Sequence, residues 1–130
     1  MFDRRSVRGL LIPCLATALA GCSSPGLVSI QISPTAETFV GGQGTAQFTA
    51  IGTFQKGDHP PTKRDITDQV TWKSNAVSVA TINSSGVTTS EGLGTTVISA
   101  NMDGFTGLVT AYASVTVCEP NPSNPTQCAE

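Results

Sequence analysis

From Leu27 to Val117 the apolar residues recur at every second position, in short runs separated by glycine, proline and Asx-type turn residues. This period-2 pattern suits strands half-buried against a core, and no run repeats with the 3.6-residue period of a helix. "LVSIQIS" (27–33) aligns Val28, Ile30 and Ile32 and stops at Pro34, and "ETFV" (37–40) reads as a further piece of the same edge. "TAQFTAIGTF" (45–54) aligns Ala46, Phe48 and Ala50, and "QVTWKS" aligns Val70 with Trp72. Two short strands flank Asn83-Ser84-Ser85-Gly86 as a hairpin. Thr96, Ile98 and Ala100 align in "GTTVISANMDG", and Val109, Ala111, Ala113, Val115 and Val117 align in the last run. "GGQG" (41–44) and Asp103-Gly104 are turn signals. The stretch Gln55–Asp68, with Gly57, Pro60 and Pro61, is the longest break and reads as an exposed loop. The expectation is an all-β chain, a sandwich of about seven antiparallel strands, with Ile30, Phe48, Trp72 and Ile98 in its core.

The first 21 residues have another character. Arg4, Arg5 and Arg8 precede the apolar run "LLIPCLATALA" (10–20). This is the layout of an export signal, and the run is shorter than the roughly 20 residues of a bilayer-spanning helix. Ala18-Leu19-Ala20 offers an A-x-A cleavage site. Leu19-Ala20-Gly21-Cys22 resembles the lipobox of bacterial lipoproteins, in which the cysteine is acylated and becomes the first residue of the mature chain. Cysteine parity favours the second reading. Cys14 departs with the signal, and lipid on Cys22 leaves Cys118 and Cys128 to pair in an oxidising compartment. A disulfide there closes the Pro-rich tail 118–130 and is expected to constrain that tail rather than the sandwich. The resemblance implies an envelope location. Ser23 stands where an aspartate would favour inner-membrane retention, which points to the outer membrane if the host is Gram-negative.

Residues 27–117 resemble one bacterial immunoglobulin-like domain of the group 2 family. The resemblance is carried by "VSIQISP", "VGGQGTAQFTA", "VTWKSNAVSVATINSSGVTT" and "LGTTVISA". It implies an immunoglobulin-like sandwich with Trp72 on its C strand. The inter-sheet disulfide of antibody domains has no counterpart, since neither 45–54 nor 95–102 contains cysteine.

Charge excludes one class of partner. Removing residues 1–21 takes away three arginines and one aspartate, leaving four basic and eight acidic side chains, a net charge of about −4. No basic patch suits nucleic acid. Nor does the sequence assemble a catalytic set. His59 is the only histidine and stands in the Pro-rich loop beside Asp58. Asp58, Asp65, Asp68 and Asp103 lack the spacing of a calcium loop. No cofactor or metal is expected. The function expected is non-enzymatic: a lipoprotein, tethered by residues 22–26 through lipid on Cys22, that presents one domain for adhesion or for contact with an envelope protein or glycan. The alternative is an accessory subunit of a secretion or polysaccharide-handling complex, and an enzyme is a remote third. Lys56, His59, Lys63 and Arg64 make Gln55–Asp68 the preferred contact loop.

Overall fold

The computed structural model describes residues 24–130, so the signal segment, Cys14 and Cys22 lie outside the described residues. The described chain is all-β. In order it forms β1 (Gly26–Ser33), β2 (Ala36–Val40), β3 (Thr45–Gln47), β4 (Thr49–Gln55), β5 (Thr62–Asp65), β6 (Thr71–Ser74), β7 (Ala80–Ile82), β8 (Val87–Ser90), β9 (Gly94–Gly104), β10 (Gly107–Cys118), β11 (Pro120–Asn121) and β12 (Asn124–Cys128). Among these residues no helix is long and apolar enough to cross a membrane.

Two layers enclose the core. One has the order β2-β10-β9-β6. The other is built on β3 and β4, successive parts of one run, with β1 and β5 flanking β4 and β8 then β7 beside β3. The β6-β9-β10 order matches the C-F-G order of an immunoglobulin-type sandwich, with Trp72 on the C-like strand. Phe48, Ala50, Phe54 and Ala80 from one layer meet Phe39, Ile98, Ala100, Ala113, Val115 and Val117 from the other. Phe48 and Ile98 are fully buried as expected, while Trp72 and Ile30 are half-buried and pack against the edge of this cluster.

Four local expectations are corrected. Val28 is not on the core face: a bulge between Leu27 and Ser29 buries Leu27 and leaves Val28 49% exposed. An extra residue in one strand shifts the alternation by one position. The segment "ETFV" does not continue the edge of β1. Proline has no N–H to continue the ladder, and past Pro34 the chain crosses to the other layer, where β2 pairs in parallel with β10. That is the one parallel pairing among otherwise antiparallel ladders of the described residues. Gln55–Asp68 is not simply a loop. Thr62–Asp65 forms β5 against β4, and Ile66 beyond it is 1% exposed in the core. Replacing the whole stretch by a tight turn would therefore remove a core side chain. Finally, Cys118 does not lie past the last strand of the sandwich. It ends β10 opposite Val40 and is bonded to Cys128, with Cα atoms 5.4 Å apart. The tail is a small β11–β12 hairpin stapled to the sandwich, and its β12 touches β2.

The run 45–54 is interrupted at Phe48, whose backbone N–H donates to Gly86 O at 2.8 Å. Gly86 has φ +78°, and a Cβ there would run into the carbonyl oxygen of Phe48. Two residues on, Thr88 is fully buried and its hydroxyl has no hydrogen-bond partner. The two positions predict opposite results in chemical denaturation. Gly86→Ala should lower stability by more than about 1 kcal/mol, since alanine is strained at positive φ and meets backbone. Thr88→Val should raise it by about 1 kcal/mol, by removing an unpaired buried hydroxyl at nearly constant volume.

Candidate binding surfaces

Strand directions divide the sandwich into two ends. Gly26 pairs with Gln55, and Gly104 pairs with Gly107, so the start of β1, the β4–β5 turn and the β9–β10 turn share one end. The Phe105 N–H donates to Leu27 O at 3.0 Å and joins them. The Gly41–Gly42 turn and the stapled hairpin lie at the other end, where Gly41 N–H donates to Cys118 O at 2.8 Å. The contact-loop residues therefore separate. Lys56 and His59 sit on the β4–β5 turn, held by the Gln55 side chain, whose Nε2 donates to Gly57 O at 2.8 Å and His59 O at 2.5 Å. Lys63 and Arg64 are consecutive on β5 and point to opposite faces. The Arg64 guanidinium lies 3.8 Å from the Phe54 ring centroid, a cation–π contact that covers the core. β5 is an outer strand, and its two cations discourage edge-to-edge pairing.

Farther along that layer Gln47, Thr49, Asp65, Thr67, Asp68, Gln69 and Ser85 line an open polar cleft of about 550 Å³. Its floor is held by a set of hydrogen bonds. Asp65 Oδ1 accepts from Thr67 N at 2.9 Å and from Thr67 Oγ1 at 2.6 Å. The buried Thr67 hydroxyl in turn accepts from Ala50 N at 3.0 Å. Trp72 Nε1 donates to Thr67 O at 2.9 Å, which ties the turn to the four-stranded sheet. The sequence assigned Trp72 to packing, and its ring also carries this bond.

The Thr67 hydroxyl and N–H hold the Asp65 carboxyl below its ordinary value of 3.8. A carboxylate whose folded value is depressed favours the fold above its unfolded value, and that contribution is lost as pH falls through the folded value. Acid titration of stability should therefore show a smaller loss below pH 3.8 for Asp65→Asn than for the parent chain. Because Asp65 is exposed, the difference is expected to be small and to shrink further in salt.

The third surface is the outward face of the β2-β10-β9-β6 sheet. Across its register Thr71, Asn101 and Thr110 form one row, and Lys73, Ser99 and Tyr112 the next. Thr95, Thr116 and Thr38 form another. Thr110 Oγ1 donates to Asn101 Oδ1 at 2.7 Å, and the Thr95 and Thr116 hydroxyls lie 3.4 Å apart. Tyr112 is 67% exposed and stands among these hydroxyl and amide groups. Alternation in the sequence identifies the inward residues of these strands but gives the outward ones no role. The signal was present in their polar alternate positions.

Asp58, Asp65, Asp68 and Asp103 are dispersed, with only Asp65 and Asp68 lining the same cleft. Among the described residues no group of three His, Cys, Asp or Glu side chains is placed to hold a metal ion. His59 lies on an exposed turn.

No family model matches the chain. Among curated proteins it is similar to "Ice-binding protein 1" of Shewanella frigidimarina (strain NCIMB 400), with 33% identity over 87 residues. The similarity covers 67% of this chain, and the chain spans only 9% of that relative's length.

Proposed function

We propose that this chain is a non-catalytic envelope lipoprotein, acylated at Cys22, whose group 2 immunoglobulin-like domain binds a neutral polar partner through the outward face of its four-stranded sheet. The observation that carries the reading is that face itself. Ranks of Thr, Ser and Asn supply donors and acceptors, and Tyr112 supplies an exposed aromatic ring. Lys73 is the one cation in these rows. Hydroxyl and amide groups beside an exposed ring suit a glycan, whose hydroxyls need hydrogen bonds and whose C–H faces stack on aromatics. Support for the anchor comes from the lipobox-like Leu19–Cys22, and the first strand begins about four residues later.

The preferred contact thus moves from Gln55–Asp68 to the sheet face, because the turn bearing Lys56 and His59 lies at the end where the chain comes from Cys22. An accessory role in a polysaccharide-handling complex would use the same face. Ice, named for the relative, is less well supported: Tyr112 and Lys73 project above the short side chains and break the flatness that contact with a crystal lattice requires.

Two measurements test the proposal. Cells fed an alkyne fatty acid should label the parent protein and not Cys22→Ser, and equal labelling would remove the anchor. With the anchored protein immobilised, Tyr112→Ala should cut recovery of envelope glycan about tenfold, the equivalent of one good aromatic contact of about 1–1.5 kcal/mol. Unchanged recovery would remove the face. Tyr112 is exposed, so thermal unfolding should be nearly unaltered.

A further inference from the structure

We infer that the anchor-side tip of the sandwich, formed by Phe105, Leu108 and Val28, inserts into the lipid–water interface beside the acylated cysteine, so that the bilayer holds the domain at a second point. This inference rests on the proposed acylation of Cys22.

Three apolar side chains meet water at this end. Phe105 is 79% exposed, Leu108 67% and Val28 49%. Phe105 occupies the β9–β10 turn, Leu108 follows on β10, and Val28 is turned outward by the bulge in β1. Phe105, Val28, Gln55 and Gly57 bound a hollow of about 250 Å³. The tip is held in place as well as exposed. Phe105 N–H is bonded to Leu27 O, and the ring lies so close over Gly26 that a Cβ there would come within 2.7 Å of Phe105 Cβ.

The position of the tip selects its occupant. Gly26 begins β1 about four residues after Cys22, a span of at most ~14 Å when extended. An acylated Cys22 lies at the bilayer surface, so this end of the domain can move no farther from it than that. Phenylalanine and leucine at such a site are suited to the headgroup–acyl boundary, where interfacial segments bury their apolar groups about 5–10 Å deep. A second copy of the chain is a poorer occupant. Three side chains fall well short of the roughly 800 Å² per partner of a standard protein interface. Charge is not the driving force, because Lys56 on the neighbouring turn is offset by Asp58 and Asp103. Insertion should therefore occur on neutral lipid.

The test uses full-length acylated protein, with its acyl mass verified, in phosphatidylcholine vesicles with and without brominated acyl chains. Phe105→Trp introduces a reporter, and the parent protein, whose Trp72 is half-buried in the sandwich, supplies the background. The difference emission assigned to position 105 should shift to the blue on reconstitution, and most of it should be lost to brominated lipid while Trp72 is little affected. Emission at the wavelength of a water-exposed indole, with iodide quenching unchanged by vesicles, would overturn the inference while leaving the anchor intact. A blue shift without quenching by bromine would also overturn it, by assigning the tip to protein contact. A mature chain without acyl groups would remove the anchor and, with it, this inference.

Discussion

The rest of the structure depends on the burial of Phe48 at the break between β3 and β4. Its side chain is wholly enclosed, and its N–H donates to Gly86 across the layer. The same run of chain pairs with β8 before this point and with β1 and β5 after it. One buried aromatic thus marks where the layer changes partners. The close approach of backbone there is possible because residue 86 has no Cβ. Without an inter-sheet disulfide the two layers are held by apolar burial, and truncating a core phenylalanine typically costs about 3–5 kcal/mol.

A second linkage makes the Gln55–Asp68 region structural as well as exposed. Ile66 enters the core, Thr67 accepts the Ala50 N–H, Asp65 accepts from Thr67, and the Trp72 indole donates to the Thr67 carbonyl. The polar atoms of this Asp65–Thr67–Trp72 linkage are all paired, unlike the Thr88 hydroxyl, and buried polar groups remain inexpensive only when paired. The charged tip and outer strand of the same segment face solvent, so a single stretch carries both packing and surface roles.

The two ends and the outward sheet face offer different surfaces. The end where β1 begins presents Phe105, Leu108 and Val28, the outward sheet face presents hydroxyl and amide groups around Tyr112, and the far end carries the Cys118–Cys128 staple together with the exposed Val77 and Leu93. This distribution is the one the proposed anchor and sheet-face contact would use. The hairpin touches β2 and is bonded through its disulfide to the last residue of β10.

Alternation alone determined the all-β class, the inward faces of the runs at 45–54, 94–104 and 107–118, and the hairpin around Asn83–Gly86, because strand side chains alternate whatever their partners. Cysteine parity also points to the Cys118–Cys128 pair, which the structure contains. Partner and register are different matters, since they depend on residues distant in the chain. The bulge that exposes Val28, the crossing of β2 into parallel contact with β10, and the recruitment of β5 and Ile66 from a Pro-rich stretch were decided only by tertiary pairing. The candidate surfaces follow the same rule. Lys56, His59, Lys63 and Arg64 look like one group along the sequence, yet strand alternation and the β4–β5 turn disperse them. Phe105 and Val28, 77 positions apart in the sequence, become neighbours because the β9–β10 turn bonds to the start of β1.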